Sequence, residues 1–81
     1  MSYRDKKDAV WQKAKKVRGK DSNLYRQDYL GNPLYYHSYG KNSQMGWVID
    51  HSKPTSKGGT DHLNNLQVLQ TKANLKKSNN Y

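Results

Sequence analysis

From Trp47 to Lys77 the chain reads WVIDHSKPTSKGGTDHLNNLQVLQTKANLKK. An aspartate and a histidine, Asp50 and His51, end a short apolar run. Asn64 and Asn65 precede a second apolar run, and Asn74 lies in the basic stretch that follows. A hairpin followed by a helix brings a carboxylate, an imidazole and two amides to one point. The choice of acids limits the chemistry there. All six are aspartates and none is glutamate, so the carboxylate cage that usually holds two metal ions is hard to build. Metal chemistry, if present, uses a single ion with few protein ligands. Taken singly, Asp50, His51, Asn65 and Asn74 each have an ordinary structural reading, and paired asparagines are common in turns. Order and spacing set them apart.

These residues need elements to position them. Trp47, Val48 and Ile49 form a β run with Asp50 and His51 at its end. Neighbours on a regular strand point to opposite faces, so both reach one ligand only where the strand breaks into a loop. Pro54, Gly58 and Gly59 place a break nearby. Leu66 to Leu69 gives a second strand that pairs back on the first. Thr71 is positioned to cap the next helix, on which Asn74 and Lys77 share a face at i, i+3.

Upstream, residues 3–17 are predicted as a helix with Val10, Ala14 and Val17 on one face, Trp11 beside it, Ser2 as N-cap and Gly19 as stop. Asp5 and Asp8 near its start, with Lys13, Lys15, Lys16 and Arg18 near its end, match the helix dipole. Those lysines are read mainly as a solvated face. Residues 25–36 read as a hairpin, with arms over 25–29 and 34–36 around the turn Gly31, Asn32 and Pro33. Residues 37–45 form a loop. Seven tyrosines with no phenylalanine supply bulk with a polar tip, so most are expected in or near the core. Arg26 is either an ion-pair partner of Asp28 or Asp50, or a phosphate contact.

With 81 residues the chain is at most one domain, with a modest core. It has no cysteine, which excludes disulfides and cysteine-ligated zinc and fits a reducing compartment, so the cytoplasm is the expected location. No run is long and apolar enough to span a membrane, and no signal-peptide core follows Met1. A formal charge of +9 points to a polyanionic partner, nucleic acid before an anionic membrane surface.

The combined pattern resembles the HNH endonuclease family, the His-Me finger or ββα-metal group. It rests on Asp50 and His51, Pro54, Gly58 and Gly59, then Asn65, Leu66 and Gln67, and last Asn74 followed by Lys77. Val10, Trp11, Lys13, Ala14, Tyr25, Arg26, Asp28, Gly31, Tyr39, Gly40, Gly46 and Trp47 are similar, more loosely, to the N-terminal half of small zinc-free bacterial and phage members. The resemblance implies an α+β fold, with an N-terminal helix and hairpin over residues 1–45 supporting a ββα-metal motif over residues 46–78. It implies DNA phosphodiester hydrolysis with one divalent cation, leaving 5′-phosphate and 3′-hydroxyl ends. His51 would be the general base, since an imidazole is largely unprotonated at pH 7 yet basic enough to accept a proton. Asp50 and Asn74 would hold the cation, Mg²⁺ first and Mn²⁺ second, with no structural zinc. Asn65 would join the catalytic set by holding the loop and orienting His51. Asn74 stands where many members have histidine. Val48 stands where relatives often carry an acid, so any role of that acid is lost. His62 and His37 are read as loop residues.

The expected partner is DNA, double-stranded first. A second copy of the chain or a larger complex would decide between one-strand and two-strand cutting. The alternative is a non-catalytic nucleic-acid-binding module, or a nuclease subunit that needs a partner. A purely structural basic protein explains the charge but not the spacing. Lys53, Lys57, Lys72, Lys76 and Lys77 are expected to meet phosphate around the centre, with Arg26. If about five phosphates are neutralised, log K for duplex DNA falls against log salt with a slope of roughly −4 to −5. A salt titration of binding measures this, and a slope near zero removes the basic patch.

Overall fold

In a computed structural model, the protein is described over residues 3–78, with side chains from 6 to 77. The first helix, α1, is Tyr3–Lys13. Its stripe is short: Val10 and Trp11 are buried, and Ala14 packs against them from just beyond the helix end. The helix stops well before the predicted Gly19. Lys15–Lys16 forms a strand, β1, which pairs antiparallel with Tyr25–Gln27, β2. Lost helix hydrogen bonds are replaced there by a ladder, and the Arg26 side chain takes the Gln12 and Ala14 carbonyls. A cation at a helix C-terminus also suits its dipole. The Ser2 N-cap and the Asp5 side chain lie outside the described residues.

The hairpin forms as expected, with a shorter first arm and a second arm shifted by one residue, so that Pro33 joins the strand and Tyr36 leaves it. β2 pairs with β3, Pro33–Tyr35, giving a three-stranded sheet in the order β1-β2-β3. Pro33 opens an edge strand, where its missing N–H costs least. The turn is built on Asp28, which is 2% exposed. Its Oδ1 accepts from the backbone N–H groups of Leu30 (3.0 Å) and Asn32 (2.9 Å). Its Oδ2 accepts from Asn32 Nδ2 at 3.1 Å and from the Gln70 backbone N–H at 3.0 Å. One buried carboxylate thus folds the turn and ties it to the second sheet.

That second sheet pairs β4, Trp47–His51, antiparallel with β5, Leu66–Gln70. The last helix, α2, is Thr71–Ser78. The order is an α+β fold: a helix, two small antiparallel sheets and a C-terminal helix. α1 and α2 both pack on β4 and β5. Trp47, Leu66 and Val68 join Val10, Trp11 and Leu34 in the core, with Ile49, Tyr36 and Tyr39 against it. The two indoles stack at 4.9 Å between centroids and donate to the carbonyls of Ser22 and Tyr36. Tyr25, Tyr35, Tyr36 and Tyr39 are half-buried, whereas Tyr29 is exposed. Thr71 does not cap α2 through its hydroxyl, which is buried with no partner. Its backbone N–H donates to Gly46 O at 2.8 Å instead. Among the described residues no helix is long and apolar enough to cross a membrane.

Replacing Asp28 with alanine leaves buried donors unsatisfied at the turn and on β5. We expect a loss of about 3 kcal/mol, read from the urea unfolding midpoint; a loss below about 1 kcal/mol would show that the carboxylate is dispensable.

Candidate functional site

The ladder between β4 and β5 sets what each side chain faces. Trp47, Ile49 and His51 pair with Gln70, Val68 and Leu66, while Val48 and Asp50 pair with Leu69 and Gln67. Side chains alternate across a sheet. The first group lies on the face covered by α1, as the core membership of Trp47, Ile49, Leu66 and Val68 shows. The second lies on the face covered by α2. Asp50 and His51 therefore stand on opposite faces. β4 ends at His51, but regular pairing includes both residues, through His51↔Leu66 and then a 2.9 Å hydrogen bond from Ser52 N–H to Asn65 O, so their side chains keep the strand's alternation.

On the α2 face, Asp50 Oδ2 accepts from Gln67 Nε2 at 3.1 Å and lies 2.9 Å from Lys77 Nζ. The carboxylate side chain is 14% exposed. Asn74 is half-buried and lies one helical turn before Lys77, so the two share the side of α2 turned to Asp50. Lys77, expected to meet phosphate, instead sets its charge against Asp50.

On the other face, His51 Nε2 lies 2.7 Å from Asp61 Oδ1. An ionised carboxylate only accepts hydrogen bonds. In a neutral imidazole Nε2 then donates to this carboxylate. The histidine side chain is 20% exposed and that of Asp61 is 64% exposed, so the pair works at the solvent boundary.

Asn65 holds the loop that presents Asp61. Its Oδ1 accepts from the Lys53 backbone N–H at 2.8 Å, and its Nδ2 donates to Lys53 O at 3.1 Å and Thr60 O at 2.7 Å. A primary amide carries both the acceptor and the two donors this clamp uses. Gly59 lets the loop close, since a Cβ there would sit 1.8 Å from Lys53 O. From α1, Lys6 Nζ donates to Asp61 O at 2.5 Å, and Lys13 Nζ to Leu63 O and Leu66 O at 2.5 and 2.6 Å. The two lysines are seven residues apart, two helical turns on one face. Lys13 remains exposed on the solvated side while its ammonium, with that of Lys6, anchors the loop.

Arg26 is not a phosphate contact. It is 2% exposed, and its guanidinium donates to the carbonyls of Ser22, Gln12 and Ala14 and to Gln12 Oε1. It is not an ion-pair partner of Asp28 or Asp50 either. Its place on the middle strand of a sheet, under the end of α1, points it inward. Lys53, Lys57, Lys72 and Lys76 are exposed, as are His62 and His37.

Asp61, Gln67, Lys6 and Lys13 make contacts around these residues that the sequence did not indicate as part of the site. The spacing of Lys6 and Lys13 held a signal. So did the pairing of the two apolar runs, which sets Gln67 opposite Asp50. Asp61 had none. Among the described residues no three His, Cys, Asp or Glu side chains converge to hold a metal. A cation at Asp50 would have one carboxylate and the Asn74 amide oxygen. An all-oxygen donor set of this kind fits a hard ion that keeps much of its water. The Lys77 ammonium is 2.9 Å from Asp50 Oδ2. Comparison of the chain with protein-family models, with curated proteins and with solved structures finds no match.

Replacing Asn65 with alanine removes the clamp without touching the core. By native-state hydrogen exchange the Lys53 amide should exchange about tenfold faster, one hydrogen bond's worth of protection. Unchanged exchange would show that the loop stands without Asn65.

Proposed function

We propose that this chain is a metal-dependent DNA endonuclease of the HNH type, hydrolysing phosphodiester bonds to leave 5′-phosphate and 3′-hydroxyl ends. The observation that supports this reading is Asp50 beneath α2, 2.9 Å from Lys77 Nζ, next along the strand to a histidine 2.7 Å from a carboxylate. A binding module needs neither.

Asp50 and Asn74 hold the cation, Mg²⁺ by its preference for oxygen donors and Mn²⁺ as a substitute. Its contribution when bound is to offset the charge that develops on the phosphate and leaving oxygens. His51 accepts the proton of the attacking water, and the Asp61 carboxylate steadies the imidazolium that results. Asn65 keeps Asp61 and the loop in place. The opposed faces of Asp50 and His51 do not separate them far. Adjacent α-carbons lie about 3.8 Å apart, and β4 is paired with β5 on one side only at this end. A phosphodiester along its open edge meets both residues. Lys53, Lys57, Lys72 and Lys76 supply charge for the flanking backbone, which positions DNA without reading its sequence.

One observation favours a second reading, a nuclease subunit that becomes active with a partner. Asp50 and His51 are both engaged by internal ion pairs, with Lys77 and with Asp61. Cleavage of supercoiled plasmid in Mg²⁺, Mn²⁺ and EDTA separates the readings. We expect metal-dependent nicking or linearisation, reduced at least about 100-fold by His51→Ala with DNA affinity nearly intact. Asn74→Ala should raise the Mg²⁺ requirement about tenfold or abolish cutting. Tight binding without cutting in any metal favours the partner-dependent reading, and equal turnover by His51→Ala removes that residue from the mechanism.

A further inference from the structure

A cavity of about 510 Å³ opens between the tip of the β2–β3 turn and the outer side of β5. Its walls include Lys15, Gln27, Tyr29, Leu30, Gln67 and Ser52. Ser52 directly follows His51 and Gln67 holds Asp50, so the cavity adjoins the proposed centre. It lies within the size range of small-ligand pockets.

The rim is unusual for so small a protein. Tyr29 is 62% exposed and Leu30 is 59% exposed, side by side. Single exposed apolar residues need no explanation. These two, however, sit on a turn that is locked in place. Asp28 accepts from Leu30 and Asn32 beneath them, and Gly31 adopts φ +86°, the left-handed conformation that glycine tolerates. The turn presents an aromatic ring and an aliphatic wedge with little freedom left to lose on binding. The charge suits a polyanion. Lys15 and Lys16 are exposed on β1 next to the rim, and the Asp28 carboxylate in the wall is taken up by its N–H donors. Gln27 is half-buried in the same wall and offers an amide donor and acceptor, the complement of a base edge.

We infer that this groove takes an unstacked nucleobase of the DNA strand beside the cut phosphate, stacked on Tyr29 and wedged by Leu30. The inference rests on the nuclease reading and narrows its substrate to DNA with an unpaired or splayed nucleotide near the cut. Aromatic side chains hold bases by stacking without regard to sequence, and apolar wedges keep a base step open.

The test is binding in EDTA, where cutting does not interfere. Fluorescence anisotropy compares a fully paired duplex with the same duplex carrying one bulged nucleotide. The proteins are wild type, Tyr29→Ala, Tyr29→Phe and Leu30→Ser. Both side chains are exposed, and circular dichroism checks the fold of each variant. Wild type should prefer the bulged duplex. Tyr29→Ala should weaken the bulged complex about tenfold, as expected for one stacked base, and the paired one less than about twofold. Tyr29→Phe should keep the preference, and Leu30→Ser should reduce it. Photocrosslinking from 5-iodouracil at the bulge should mark the peptide containing Tyr29. Equal weakening of both duplexes by Tyr29→Ala, no weakening of either, or a crosslink elsewhere overturns the inference. A protein that shows the bulge preference but cuts no DNA in Mg²⁺ keeps the groove and moves the nuclease reading to its partner-dependent form. One that cuts without the preference keeps the nuclease reading and loses the groove.

Discussion

Five residue pairs join β4 to β5, from Trp47↔Gln70 to His51↔Leu66. Because side chains alternate, this register places Asp50 beneath α2 and His51 towards the loop that α1 anchors. A slip of one residue would exchange the two faces. Trp47, Ile49 and Val68 would then turn from the core, so apolar burial and the placement of the chemical groups are enforced by the same pairing. The packing of α1 and α2 on the hairpin secures that register from both sides.

The core around the hairpin is small, and polar anchors extend it. Arg26 joins α1 to β2, Asp28 joins the turn to β5, and Lys6 and Lys13 join α1 to the loop after His51. Buried or half-buried charges of this kind hold when hydrogen-bonded. They also fix geometry more narrowly than apolar contacts do, which suits a site built on a loop and a two-stranded ribbon. Part of the +9 charge is thus internal scaffolding: Arg26, Lys6 and Lys13 point at carbonyl oxygens and Lys77 at Asp50.

The main elements of the hairpin and the later helix were legible in the residues. β-branched and aromatic residues at Trp47, Val48 and Ile49 mark a strand, and Gly58 and Gly59 mark the loop that separates it from its partner. The end of α1 was not legible. Lys15 and Lys16 favour helix by local propensity, and only pairing with β2, formed much later in the chain, makes them a strand. Arg26 was open between two roles because a sequence does not show which way a short strand faces. Asp61 was invisible for a similar reason: its place beside His51 depends on the Asn65 clamp and on Lys6. Asp50, His51, Asn65 and Asn74 were chosen together by spacing and resemblance. Their division between two faces of a ribbon comes from the continued ladder, not from residue type.

The proposed mechanism turns on whether Asp50 and Asn74 would hold a divalent cation. Paramagnetic line broadening by Mn²⁺, followed by NMR on the intact protein, tests it directly. The account predicts that substoichiometric Mn²⁺ first broadens the signals of Asp50, Gln67, Asn74 and Lys77, and that Asp50→Ala abolishes this pattern. Broadening centred elsewhere, or unchanged in Asp50→Ala, would contradict it.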